Sequence, residues 1–152
     1  MRITLACLLL TLTTLGAACS ESVDDHELAT ARMQWTKQLP TSYSFTWMQS
    51  CECISDMTRP IRIGVTSGQV TSAVYVDDQR AVGELVRPYL LTIDGVFDKI
   101  QAAIHQGAAE VTVDYDPTRG YPTSVFVDYS RQTADEELSL QISDFTATAG
   151  GA

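Results

Sequence analysis

Apolar and polar residues follow two different rhythms along this chain, and each change of rhythm marks an element. From Asp24 the spacing is helical. Leu28, Trp35 and Leu39 fit one face, Asp24 or Asp25 stands where an N-cap belongs, and Pro40 stops the run. A helix to about Gln38 is predicted. From Tyr43 the period becomes two: Tyr43, Phe45 and Trp47 alternate with Ser44 and Thr46, as on a half-buried strand. Ile61, Ile63 and Val65 alternate again after a Cys51–Arg59 connection. Ser67-Gly68 marks a tight turn, and Val70, Val74, Tyr75 and Val76 make a third strand. Residues 77–91 predict no definite element.

Helical spacing then returns. Thr92 is placed to cap, Asp94 sits in the first turn, Ile93, Val96, Phe97, Ile100 and Ile104 form an apolar stripe, and Gly107 ends it. Val111, Val113 and Tyr115 alternate with Thr112, Asp114 and Asp116, a Pro117–Pro122 loop follows, and Val125, Val127 and Tyr129 form a return strand. Asp135, Glu136 and Glu137 punctuate a further loop before Leu138, Leu140 and Ile142. The predicted order is α-β-β-β-α-β-β-β. Strands in groups with few helices point to the α+β class, an antiparallel sheet with helices packed on one face. The two αβββ halves hint at a duplication. Residues 28–146 are read as a single domain, and 147–152 as a small-residue, frayed tail.

The first 18 residues follow a different pattern. Arg2 precedes an apolar stretch from Ile3 to Leu15, and Gly16, Ala17 and Ala18 follow, the layout of a secretory signal peptide. A membrane span needs about 20 predominantly apolar residues, and this stretch is shorter and diluted by threonines. Cys19 stands directly after the small residues. Leu15-Gly16-Ala17-Ala18-Cys19 resembles a bacterial lipobox, which implies acylation of Cys19, such as by palmitate. Ser20 after it would favour sorting to the outer membrane. Several acyl chains on one cysteine suffice for stable anchoring. The rival reading is ordinary cleavage after Ala18, giving a soluble periplasmic or secreted protein. Residues 19–27 read as an acidic tether.

Composition narrows the function classes. The 152 residues carry ten basic and nineteen acidic side chains, a formal charge of −9. Loss of the leader removes Arg2 and makes the exported chain one unit more negative. Phosphate recognition needs clustered Lys and Arg, and no cluster is present, so nucleic acid is excluded as a partner. Contact with a membrane is expected through the lipid alone.

Several phrases in order resemble a family. Trp35, Tyr43-Ser44-Phe45-Thr46, Cys51-Glu52-Cys53, Thr92-Ile93-Asp94-Gly95-Val96-Phe97 and Tyr115-Asp116-Pro117-Thr118-Arg119-Gly120-Tyr121-Pro122 are similar to those of small bacterial secreted proteins and lipoproteins grouped as domain of unknown function 6174. The resemblance covers roughly residues 30–145 and implies export and a single α+β domain. It implies no activity and carries over no catalytic residue.

Candidate chemistry centres on Cys51 and Cys53. In an oxidising compartment a disulfide is the first expectation. Two residues along an extended strand separate Cα atoms by about 6.6 Å, near the upper limit for a disulfide, so a turn or bulge at Glu52 is required. So small a loop stabilises little through chain entropy and leaves a reducible bond. Three alternatives stand beside a structural disulfide: a thiol-exchange site, a Cu(I) site with Met48 and Met57 as thioether ligands, and two free thiols. Zinc is disfavoured, since only His26 and His105 add to the cysteines and both belong on solvent-facing helix positions. Asp114, Asp116 and Asp128 lie on the polar phase of adjacent strands. Convergence there would suit a calcium site or an acid/base pair, but a solvated sheet face is the favoured reading, with Asp116 serving the turn before Pro117. Tyr121 and Tyr89 are candidate binding anchors, with packing of a loop onto the sheet the favoured reading for both. No hydrolase, phosphate-loop or dinucleotide motif occurs. The reading is a lipid-anchored, non-catalytic binding module without a cofactor. A periplasmic Cu(I)- or thiol-handling protein is the alternative. The binding surface is expected on the open sheet face with the 117–122 loop, for a protein or small-molecule partner.

Overall fold

The computed structural model describes residues 23–132 and 137–148. Helix α1 (Asp25–Lys37) starts where the Asp24 carboxylate accepts from the amides of His26 and Glu27, at 2.9 and 2.8 Å. Leu28, Ala31 and Trp35 form its buried face. Leu39 does not belong to that face: it lies past the helix end and is half-exposed. The fold begins earlier than the expected end of the tether, since Val23 is buried and donates its amide to Val111 O at 2.8 Å.

Strand β1 (Ser42–Ser50) is followed by a single helical turn, α2 (Ser55–Thr58), and by a hairpin of β2 (Ile61–Thr66) and β3 (Gln69–Tyr75). Residues 77–91, undefined by periodicity, turn back beside β3 through a Val74–Ala81 bridge and a 3-10 turn at Arg87–Tyr89. Val82, Val86 and Leu90 recur every four residues there and join the core. Helix α3 (Ile93–His105) has Thr92 as its cap, the hydroxyl accepting from Gly95 N at 3.1 Å. The Tyr43 hydroxyl accepts from Ile93 N at 3.2 Å, fastening β1 to this helix start. Burial pushes the Tyr43 phenol up to about 12. The chain closes with β4 (Glu110–Tyr115), β5 (Pro122–Asp128) and β6 (Glu137–Thr148).

All six strands form one antiparallel sheet in the order β3-β2-β1-β6-β5-β4, so the central pair joins the first strand to the last. The class is α+β, as the grouped strands predict. The inward phase of each strand packs into one core with α1 and α3. These helices run antiparallel, because Arg32 bonds Asp98 at 2.6 Å while Asp25 meets Gln101 and His105. The sheet does not fit a duplication. Strand directions alternate, so superposing β1-β2-β3 on β4-β5-β6 in chain order would turn the sheet over and send the two helices to opposite faces.

β6 runs further than the apolar alternation shows. Ala147 and Thr148, expected in a frayed tail, pair with Tyr43 and Ser42. The register shifts between Ser44 and Thr46, where β6 carries an extra residue and Asp144 takes a φ of 50°. This bulge resets the side-chain phase, so Phe145 rather than Asp144 meets the core. Phe145 stacks on Tyr121 (4.7 Å) and Tyr43 (5.6 Å), and Trp35 stands edge-on to all three rings.

Candidate functional site

Two turns carry the most distinctive residues of the sequence. The first lies between β4 and β5. One Asp116 carboxylate oxygen accepts from Thr118 N at 3.0 Å and Arg119 N at 2.6 Å, while the backbone of Asp116 bonds Gly120 and Tyr121. Gln34 on α1 and Gln38 at its C-terminal cap donate to the carbonyls of Pro117 (3.1 Å) and Thr118 (2.7 Å). Gly120 has a φ of +78°, and a Cβ there would lie 2.6 Å from the Ala31 carbonyl oxygen. Only glycine permits that approach. Tyr121 is buried against Trp35 and Phe145. It packs the loop onto the core and presents no exposed anchor. Tyr89, by contrast, is 61% exposed.

The second turn follows β1. Cys53 N donates to Cys51 O at 2.9 Å, closing a three-residue turn that brings the two Cα atoms to 5.3 Å and allows a Cys51–Cys53 disulfide. The turn that extended-strand geometry requires at Glu52 is therefore present. The Gln49 side-chain amide lies 3.3 Å from Cys51 Sγ and 3.9 Å from Cys53 Sγ. Gln49 occupies the inward phase of β1, after Tyr43, Phe45 and Trp47. An amide at an otherwise aromatic phase was the signal of a site at this strand end, and periodicity alone passed over it. Beside the turn opens a cleft of about 250 Å³ lined by Met48, Gln49, Ser50, Thr58, Ser139 and Gln141.

Arg59 fixes the chain beyond this turn. Its guanidinium lies 3.7 Å over the Tyr75 ring and bonds the carboxylates of Asp77 and Asp78. These bonds raise the Arg59 pKa and hold Asp77 below the usual carboxylate range. Asp78 is lowered to about 2, first by the Arg80 amide and guanidinium and then by Arg59. Met57 packs against the core, whereas Met48, on the outward phase of β1, is 40% exposed. In the disulfide form the two sulfurs bond each other, and Met48 and Met57 face different surroundings.

The three aspartates are not brought together. Asp114 pairs across from Ser124, whereas Asp128 pairs with Glu110 at the far end of the same ladder, four residues or about 13 Å away. Asp116 is committed to its turn, and Asp128 accepts from Ser130 N at 2.8 Å. Among the described residues, no three His, Cys, Asp or Glu side chains gather in a metal-binding group. His26 and His105 are exposed on the helices, as expected. Cys19 and residues 1–18 lie outside the described residues.

The sheet face away from the helices bears Ser44, Thr46 and Met48 on β1, Arg62 on β2, and Ser139, Gln141 and Thr146 on β6. Arg62 reaches across the strands to Ser44 Oγ (2.8 Å), the Asp144 carbonyl (2.7 Å), and Thr46 and Thr146 hydroxyls (each 3.5 Å). The β6 bulge supplies that carbonyl. Periodicity marked these positions only as solvent-facing, and neither Arg62 nor Arg59 was picked out by a motif.

Neither the curated proteins nor the solved structures contain a match to the chain. A family profile does match, over residues 27–147, from the third residue of α1 almost to the end of β6. It spans both turns, α3 and all but the start of α1 and the end of β6. The chain belongs to the Family of unknown function (DUF6174).

Proposed function

We propose that this protein is a lipid-anchored, non-catalytic binding module of the cell envelope, held through Cys19 at the outer membrane and facing the periplasm. The observation that carries the binding role is the one-sided packing of the sheet: α1, α3 and the buried apolar side chains share one face, and the other is left as a broad surface. That surface offers hydroxyls, the Gln141 amide and the Arg62 guanidinium. It suits a polar partner, protein or small molecule, that forms hydrogen bonds. The Asp116–Tyr121 turn is no part of it, because that turn is bonded to α1 on the core side. A disulfide suits the oxidising compartment that the leader implies.

Two measurements test this reading. Radiolabelled palmitate should be incorporated by the full chain and lost in Cys19→Ala; label retained by that variant overturns the anchor. A photo-crosslinker at Thr46, in living cells, should yield a discrete adduct that one at Lys99 on α3 does not. Equal labelling at both positions overturns the assignment of the open face.

A further inference from the structure

We propose that the Cys51–Cys53 disulfide is an exchangeable bond that accepts two electrons from a dithiol on a partner protein seated in the adjacent cleft. The activity is stoichiometric, one dithiol for each domain, and stands independently of the anchor; its cleft shares Met48, Ser139 and Gln141 with the open face.

The case begins with what the bond does not do. It joins residues two apart, whose Cα atoms the Cys53 N to Cys51 O hydrogen bond already holds close. Before it, β1 is paired with β2 as far as Trp47 and with β6 as far as Ser50. After it, Met57 packs on the core and Arg59 is clamped to Tyr75, Asp77 and Asp78. A disulfide stabilises by restricting an otherwise open loop, and here almost none exists to restrict. Reduction therefore costs the fold little, and disulfides exposed to solvent are the more oxidising, labile ones.

The surroundings supply what exchange needs. Cys51 and Cys53 are both half-buried, so they are reachable from solvent. Gln49 turns an N–H donor toward the pair, nearer Cys51 Sγ than Cys53 Sγ. A donor strengthens when its acceptor becomes charged, so this amide favours departure of the Cys51 thiolate. Gln49 also lines the cleft, so the residue that bonds Cys51 Sγ borders the space a partner's cysteine segment would fill. Ser50, Thr58, Ser139 and Gln141 offer that segment hydrogen bonds, and Met48 gives an apolar contact.

The chemistry balances without a further reagent. A partner thiolate attacks Cys53 Sγ, the Cys51–Cys53 bond breaks, and Cys51 leaves as a thiolate. The partner's second thiolate then attacks its own sulfur in the mixed disulfide and expels Cys53 as a thiolate. The partner's dithiol becomes a disulfide, and the two protons it gives up neutralise Cys51 and Cys53.

The test uses the full exported chain in detergent, equilibrated with mixtures of reduced and oxidised glutathione, then acid-quenched, alkylated and mapped by mass spectrometry. The pair should titrate reversibly as a dithiol within the glutathione range, with an unchanged circular-dichroism spectrum. During reduction the glutathione adduct should map to Cys53. Gln49→Leu should slow reduction about fivefold, the rate equivalent of one neutral hydrogen bond, and Gln49→Asn should restore part of it. A pair that stays oxidised under excess reduced glutathione overturns the proposal, as does unfolding on reduction, which would make the bond structural. An adduct on Cys51, or an unchanged Gln49→Leu rate, overturns the role given to Gln49.

Discussion

The turns after β1 and after β4 follow strands of the same sheet, yet the protein treats them in opposite ways. The Asp116–Tyr121 turn is fastened by its own carboxylate, by two glutamines at the C-terminal end of α1 and by a buried tyrosine. The Cys51–Cys53 turn has one internal backbone bond and a disulfide that reaches no other element. The more distinctive sequence phrase, Tyr-Asp-Pro-Thr-Arg-Gly-Tyr-Pro, is thus a structural fastening. The plainer Cys-Glu-Cys is where chemistry is available. A distinctive motif reports a tight physical constraint, and close backbone contact is as tight a constraint as catalysis.

The contrast predicts a gradient of mutational cost. The largest expected effect is Trp35→Ala, which removes the floor on which Tyr121 and Phe145 pack. Stability should fall by about 4 kcal/mol, read as the urea midpoint. Gly120→Ala comes next. It forces a side chain into a left-handed residue against the Ala31 carbonyl, and should cost about 3 kcal/mol. A loss below about 1 kcal/mol there would break the claim that this turn is a fastening.

The cysteine turn should respond far less. Cys51→Ser with Cys53→Ser should lower stability by no more than about 1.5 kcal/mol, the loop-entropy figure for so short a ring, in chemical denaturation without reductant. A loss of the size seen at Gly120 would erase the contrast between the two turns.

The smallest effects concern pH and the clamp behind the cysteine turn. The folded Asp78 pKa of about 2 lies below its unfolded value, so its contribution is present above roughly pH 4 and is lost as pH falls toward 2. Asp77 shifts in the same direction. Asp78→Asn should remove that contribution, so stability falls above roughly pH 4, stays little changed near pH 2, and the acid limb flattens in that window. At the other extreme, Tyr43 favours its neutral form up to about 12. Stability present below pH 10 should therefore decline as pH rises toward 12, and Tyr43→Phe should remove that alkaline component, as followed by tyrosinate absorbance.

Much of the fold was legible because the local rules agreed with one another. Asp24 and Thr92 cap the helices as their positions suggest, and the inward phases of β1, β2 and β5 turn to the core as alternation predicts, with Val111 of β4 buried and Val113 and Tyr115 partly so. Legibility failed where neighbours decide. Leu39 fits the helical spacing but lies beyond the last turn. The connector over 81–90 buries Val82, Val86 and Leu90 without a continuous helix. The β6 bulge interrupts alternation at Asp144, which hid the strand's last residues. At the candidate site the cysteines were visible, but Gln49 looked like one more strand residue and Arg59 like a loop cation. Asp114 and Asp128 shared a phase, but phase alone does not give distance along a ladder.

The sequence by itself determined the two long helices and the six strands, the one-sided burial and the requirement for a turn at Glu52. These rest on periodicity, capping and chain geometry, which act over a few residues. Only the tertiary structure decided that the first and last strands meet at the centre of the sheet and that Tyr121 is core. It also decided that Gln49 and a cleft attend the disulfide. Those outcomes depend on which distant surfaces pack together, and packing is settled by the shape of the whole core rather than by any segment of it.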